Sequence, residues 1–198
     1  MPAIYILGAN VPMLWGDYGG ILAHGMGKRN NKGQFELERV GPFIPPISLP
    51  FGAIIVTDAF KTELESSGLS GLSYRQVVKT RVVLLEWEKW DWKANDPGEY
   101  PDESEPENYI LENPHSPTAS DKMGELWELI LEERADTERV RTGPRIIDQE
   151  IYLKLDKWDG RDWFTAKGVG YHYVSQKAKS WLENKVPEWV RFTDSPMK

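Results

Sequence analysis

The sequence of 198 residues predicts an α+β fold, a single domain with a mostly antiparallel sheet and two or three helices. Three observations indicate this class. Short apolar or alternating runs, typical of strands, recur along the chain. Two of these runs lead through a Thr or Ser into an amphipathic helix and then into another strand. The balance of 40% apolar and 28% charged residues is that of a folded globular domain.

The N-terminal part contains two predicted strands separated by irregular chain. Residues 4–7 predict an apolar strand, and the Gly- and Asn-rich stretch after it ends in a turn at 28–33. Residues 34–40 alternate between apolar and charged side chains and predict a half-buried strand. Four prolines between 41 and 50 exclude a helix and a central strand, so an extended segment is expected there.

A strand–helix–strand unit follows. Residues 53–56 predict a buried strand, and Thr57 or Asp58 predicts the N-cap of a helix that runs to Ser66. Residues 72–78 predict the returning strand.

The next run, 80–92, predicts a long strand because it alternates from Leu85 onward. We expect Trp87 to be part of the core, and one of Trp90 and Trp92 to be partly exposed. Large aromatic side chains suit both buried cores and protein interfaces.

An acidic stretch comes directly after this run. Residues 94–114 contain no Lys or Arg, and their seven acids account for the net charge of −7, since the remaining 24 acids balance the 24 bases. The stretch suits either a solvated loop, which composition alone favours, or a surface that attracts a basic protein. The acids are Asp96, Glu99, Asp102, Glu103, Glu105, Glu107 and Glu112.

The segment after the acidic stretch predicts a helix over 122–134, capped by Asp121. Residues 146–155 predict a strand, 157–162 a turn, and 163–165 a strand that pairs back. The apolar face of the predicted helix consists of Met123, Leu126, Trp127, Ile130 and Leu131.

The C-terminal part predicts a second strand–helix–strand unit, with strands at 173–175 and 189–192 around a helix over 176–184. At an offset of 118 positions it matches the first unit at several residues, among them Val56 with Val174. Two explanations are open: the units arose by duplication, or they match because any capped amphipathic helix between two strands has a similar residue pattern.

We treat residues 1–198 as one domain. It divides into a first sub-unit (33–95), an acidic loop (96–120) and a second sub-unit (121–198).

The residues indicate no catalytic chemistry. The absence of Cys excludes disulfides, thiolate metal sites and cysteine nucleophiles. None of His24, His115 and His172 lies in a metal-binding or catalytic spacing, and no nucleotide-binding loop or nucleophile elbow is present. We therefore predict a protein that is not an enzyme and has no cofactor or metal.

Charge and hydropathy predict the kind of partner. No basic stripe offers phosphate contacts, so nucleic acid is not expected, and no apolar run approaches the roughly 18 residues of a membrane span. The N-terminus lacks the features of a signal peptide, which predicts a cytoplasmic protein. The predicted site binds a basic protein through Trp90, Trp92, Asp96, Glu99, Asp102, Glu103, Glu105 and Glu107.

Several motifs occur through the chain in a fixed order. They are RVGPFIPP (39–46), IVTDAF (55–60), GLSYRQV (71–77), WDGxDxF (158–164), VSxKAKxWL (174–182) and EWVxF (188–192). In this order they resemble a family of bacterial immunity proteins, the myxobacterial-type polymorphic-toxin immunity domain. The resemblance covers about 34–192, and its motifs are structural rather than catalytic.

The resemblance implies a protein that binds and blocks a cognate toxin, without catalytic residues. Two alternatives stay open. One is a carboxylate-dependent hydrolase acting on a small molecule or on the toxin's product, which a deep pocket with convergent acids and His24 or His172 would favour. The other is a self-associating structural protein, for which a homodimer is compatible with the sequence.

Overall fold

Both capped helices and most predicted strands are present in the computed structural model, which describes residues 2–101, 104–145 and 148–198. These residues form five α-helices and thirteen strands, which confirms the α+β class in a single domain. The strands are β1 (Ile4–Ala9), β2 (Met26–Arg29), β3 (Phe35–Gly41), β4 (Ile47–Ser48), β5 (Ile55–Thr57), β6 (Ser73–Gln76), β7 (Val78–Leu84), β8 (Leu126–Ile130), β9 (Glu133–Arg141), β10 (Gln149–Lys154), β11 (Trp163–Ala166), β12 (His172–Ser175) and β13 (Val190–Asp194). The helices are α1 (Asp17–His24), α2 (Asp58–Ser66), α3 (Pro106–Glu112), α4 (Pro117–Met123) and α5 (Gln176–Lys185).

The strands form three sheets. The largest has the order β10-β9-β11-β12-β1-β13, a second has β2-β3-β7, and a third has β4-β5-β8-β6. Two pairings, β11 with β9 and β3 with β7, are parallel, and the others are antiparallel, as the sequence predicts. The N-terminal strand β1 is internal to the largest sheet, because β12 and β13 pair with its two edges.

The expectation of two or three helices is wrong, because three helices lie in segments predicted to be irregular. α1 lies in the Gly-rich stretch, and α3 and α4 begin within the predicted acidic loop, 96–120. α3 and α4 each begin with a proline, Pro106 or Pro117, at a position where a missing N–H breaks no helical hydrogen bond. The short helices bury few apolar side chains, so their sequences carry little periodicity.

The predicted helix over 122–134 is wrong. α4 ends at Met123, Gly124 has φ of +72°, and the chain continues as β8 between β5 and β6. The alternation of β8 is hidden in the sequence because Glu128 is buried, 1% exposed, on the same side of the strand as Leu126.

The predicted long strand over 80–92 ends early. β7 stops at Leu84, and residues 87–89 form a 3₁₀ turn. Its partner β3 ends at Gly41, and the next residue, Pro42, has no N–H to continue the ladder. The length of β7 is therefore set by its pairing with β3 and not by the local alternation of apolar and polar residues.

The predicted pairing of 163–165 with 146–155 is also wrong. β11 pairs with β12 and β9, whereas β10 pairs with β9 alone among the described strands. β9 is mostly charged and half-exposed, so it has no apolar alternation by which the sequence could reveal it. Residues 146 and 147 of the predicted strand lie outside the described residues.

The two strand–helix–strand units are confirmed and share an arrangement. In each, the two strands lie on either side of an antiparallel strand from elsewhere in the chain, β8 in the first unit and β1 in the second. Val56 pairs with Trp127 and Val174 with Tyr5, while Tyr74 pairs with Leu129 and Phe192 with Leu7.

A lysine occupies the same place in both units. Lys61 lies 5.2 Å from the ring centroid of Tyr74 and 4.8 Å from that of Trp127. Lys179 lies 5.6 Å from the ring of Phe192 and 5.0 Å from that of Tyr5. The two units thus share strand order, register and a cation–aromatic contact at an offset of 118 positions.

One apolar core joins the two units. Its buried members include Leu64 of α2 and Leu182 of α5, and the rings of Phe60 and Trp181 on these helices lie 5.6 Å apart. The same core extends to Trp87 beneath the acidic stretch. The site described next therefore rests on the central core.

Candidate functional site

An aromatic cluster supports the beginning of the acidic stretch. Trp87 is fully buried, as predicted, with its ring 4.8 Å from Phe43 and 5.7 Å from Trp92. Trp189 lies edge-on to both tryptophans, 6.4 Å from Trp87 and 5.7 Å from Trp92. Aromatic pairs in such geometries add to the stabilisation from burial alone.

Trp90 and Trp92 are both half-buried, where the sequence predicts partial exposure for one of them. The Trp90 ring lies 5.9 Å from Trp15, and the Trp92 ring packs in the cluster around Trp87. Each therefore offers one part of its surface to the core and one part to solvent.

Hydrogen bonds and ring contacts hold the acidic stretch in place. The indole Nε1 of Trp15 donates to the carbonyl oxygen of Ala94 at 2.6 Å, and the Tyr18 hydroxyl lies 2.5 Å from the carbonyl oxygen of Pro101. Tyr100 is buried, with its ring 4.6 Å from those of Tyr18 and Tyr109. The described part of the stretch is therefore anchored to the fold at several points.

Most described acids of this stretch are exposed, and Oδ1 of Asp96 accepts a hydrogen bond from the nearby N–H of Gly98 at 2.8 Å. Asp96, Glu99 and Glu105 are exposed, and Glu107 is half-buried in the first turn of α3. None of these four, nor Glu112, forms a salt bridge within residues 2–101, 104–145 and 148–198. The predicted site residues Asp102 and Glu103 lie outside the described residues.

Two acids of the largest sheet are paired by contrast. Glu138 contacts Lys154 and Lys198, whose hydrogen bonds lower its pKa to about 2, and Asp136 contacts Lys157. Five described acids without a salt bridge are therefore grouped on one stretch, which concentrates negative charge there.

A second candidate site is a cavity of about 330 Å³ between β8, β12 and the loop before β12. Glu128 lies in its wall, and both of its carboxylate oxygens accept hydrogen bonds from the Arg29 guanidinium. Burial lowers the pKa of His172, which also lines the cavity. The cavity thus contains a neutralised ion pair beside an imidazole that stays uncharged at neutral pH.

A buried polar cluster lies beneath the acidic stretch. Arg39 is fully buried and donates from Nε to the carbonyl oxygen of Val40 and from Nη2 to that of Leu22, each at 3.0 Å. Its Nη1 and the hydroxyl of Tyr100 have no hydrogen-bond partner among the described residues. Burial lowers the pKa of Arg39 to about 9.

Sequence reasoning missed Arg29, Arg39 and Glu128, and of these three Glu128 alone has a signal in the sequence. Glu128 lies between Trp127 and Leu129, and a charged residue flanked by apolar ones suits a paired or buried charge in a strand. Arg39, in contrast, follows Glu38 and lacks this pattern. Arg29 has no such signal, because only the fold brings it to Glu128, 99 positions away.

The described part of the chain offers neither a metal site nor a membrane-spanning helix. It contains no group of three or more His, Asp and Glu side chains placed to hold a metal ion. Among the same residues, no helix is long and apolar enough to cross a membrane.

No protein-family model, curated protein or solved structure matches this chain. The resemblance to immunity proteins therefore stays a prediction from the sequence motifs, and function is argued from the surface itself.

Proposed function

We propose that this chain is an immunity protein that binds a cognate bacterial toxin in the cytoplasm of the producing cell and blocks it. The observation that carries the proposal is the acidic stretch, whose unpaired carboxylates stand on an anchored aromatic base. An ordered surface loses less conformational entropy on binding than a mobile loop, and unpaired acids attract a basic partner from a distance. The toxin as partner rests on the resemblance in sequence.

Neutralisation is tested in cells. The proposal implies a toxic domain encoded beside this chain, which is expressed alone and together with the chain while growth is followed. We expect the chain to restore growth and to co-purify with an inactivated toxic domain. Continued growth arrest, together with the absence of a complex, would contradict the proposal.

Charge reversal tests the role of the acidic stretch. Glu99→Lys with Glu105→Lys should slow association with the inactivated toxic domain by about 10- to 100-fold at low salt, because long-range attraction is lost. The matched control, Glu150→Lys with Asp156→Lys, changes the net charge equally on or just after β10 and should have a small effect. Equal rates for the two variants in stopped-flow experiments would refute a role for the stretch.

A carboxylate-dependent hydrolase is the second candidate, favoured by the cavity that Glu128, Glu133 and His172 line. Arg29 occupies both oxygens of Glu128, which leaves the exposed Glu133 as the available carboxylate. Hydrolysis of chromogenic esters or glycosides that is lost in Glu133→Gln would support this candidate, and inactivity of the wild-type protein on both would count against it.

A further inference from the structure

Phe51 is an exposed aromatic residue held in a strained backbone. Its φ is +42°, and it is the one non-glycine residue with a positive φ in the ranges that the structure describes. Gly52 follows with φ of +78°, and the N–H of Ala53 donates to the carbonyl oxygen of Pro50 at 2.9 Å, which closes the turn. Turns with two such residues favour Asn and Gly, so phenylalanine is unfavourable there.

The chain does not use this side chain for its own packing. Phe51 is 69% exposed, so burial of the ring offsets little of the backbone strain. Strained backbone conformations persist where the surrounding structure enforces them, and they cluster at functional sites. An exposed aromatic residue is also the type of side chain that dominates the energy of protein interfaces.

Two shallow hollows flank Phe51. One, of about 280 Å³, is lined by Met26 of β2 and by Leu111 of α3, which is 47% exposed. The other, of about 220 Å³, is lined by Ile21 and Leu49. Phe51 therefore stands as a ridge between two partly apolar depressions, and α3 joins this surface to the acidic stretch.

The charge around the ridge is negative. Glu36 and Glu38 line the first hollow, and Asp17 and Glu107 line the second. In the described part of the chain none of these four acids forms a salt bridge, and Lys28 is the one Lys or Arg that lines either hollow. A second copy of this chain would bring like charges together, and an anionic membrane would be repelled.

We propose that this Phe51 ridge is the centre of the docking surface for the toxin, and that the toxin presents an apolar pocket rimmed by Lys and Arg. The inference rests on the proposed function and deepens it. The ring fills the pocket and expels water, while the four carboxylates face the basic rim. The unfavourable turn holds the ring in its binding position before the partner arrives.

The test uses Phe51→Gly and Phe51→Asn, because both residues tolerate a positive φ and both remove the ring. The probe is the inactivated toxic domain encoded beside the chain, and affinity is measured by calorimetry with the full-length protein. We expect both variants to bind at least 100-fold more weakly, with a melting temperature equal to or above that of the wild type. Leu84→Ala removes another exposed apolar side chain, 58% exposed, and should bind as the wild type does.

The outcomes separate the inference from the function it rests on. If the wild type binds the toxic domain and either Phe51 variant binds equally well, the ridge is not the docking centre. If the wild type does not bind, the proposed function fails and the inference fails with it. If light scattering shows a wild-type dimer that Phe51→Gly dissociates, the occupant is a second copy and the inference is overturned.

Discussion

At the scale of single residues, the chain holds several charged or polar groups in places where water cannot reach them. His24 is buried in α1, where its Nδ1 accepts from the N–H of Leu49 at 3.2 Å. Burial, together with the nearby charge of Arg39, lowers its pKa to about 4, and a backbone hydrogen bond with Asn10 opposes the shift. The imidazole is therefore uncharged in the folded protein at neutral pH.

This shift predicts acid sensitivity. The pKa of His24 in the folded state is below its ordinary value of about 6.5, so the unfolded chain takes up the proton first as the pH falls. The contribution of His24 to stability is present above pH 6.5 and is lost between pH 6.5 and 4, by about 3 kcal/mol. Urea unfolding across this range should show the loss, and His24→Asn, which keeps an acceptor for Leu49, should reduce it. An unchanged pH dependence in that variant would contradict the assignment.

The Arg29–Glu128 pair predicts a second residue-level effect. Arg29→Met leaves a buried carboxylate without its cation, and we expect a loss of about 2–4 kcal/mol in the free energy of unfolding. Adding Glu128→Leu should recover part of the loss, because an apolar residue replaces the uncompensated charge. A double variant whose effect equals the sum of the two single effects would show that the residues do not interact.

At the scale of elements, the two long capped helices begin in the same way. The hydroxyl of Thr57 accepts from the N–H of Phe60, and that of Ser175 accepts from the N–H of Ala178, both at 3.2 Å. Ser175 also donates to Asp162 at 2.6 Å, which ties α5 to the turn before β11. The two caps thus differ in the number of contacts they make.

The caps predict unequal losses of stability. Thr57→Ala should cost about 1 kcal/mol of unfolding free energy, the usual value for an N-cap. Ser175→Ala should cost more, about 2 kcal/mol, because the hydrogen bond to Asp162 is lost as well. Thr62→Ala, at an exposed position within α2, is the control and should be neutral or slightly stabilising. Equal effects in chemical denaturation would argue against the contribution of Asp162.

Prediction at the element scale succeeded where the local signal was complete. The cap predicted at Thr57 or Asp58, and the helix predicted over 176–184 after a strand, were sufficient to identify the two helices, whose N-caps are Thr57 and Ser175. The prediction was wrong at β8, because the charged Glu128 is buried there and the strand therefore lacks an apolar–polar alternation in its sequence. The burial of Glu128 is explained by its ion pair with Arg29, and this pair forms only in the folded protein.

At the scale of the whole molecule, the shared core predicts cooperative unfolding. Leu64 and Leu182 are buried in the same cluster although they lie in different units. Leu64→Ala and Leu182→Ala should each cost about 2–5 kcal/mol and should lower the midpoint of one common transition. Tryptophan fluorescence and far-ultraviolet circular dichroism should give the same midpoint for each variant. Two separate transitions would show that the units unfold independently.

The sequence by itself determined the α+β class, both capped helices with their strands, and the concentration of negative charge after Trp92. These features depend on local periodicity, on caps and on composition, all of which act over a few neighbouring residues. The tertiary structure alone decided where β7 ends, how β8, β9 and β11 pair, and how the acidic stretch is anchored by Trp15 and Tyr18. It also decided that Phe51 is exposed beside α3. These features depend on contacts between residues that are distant along the chain, and local sequence patterns do not predict such contacts.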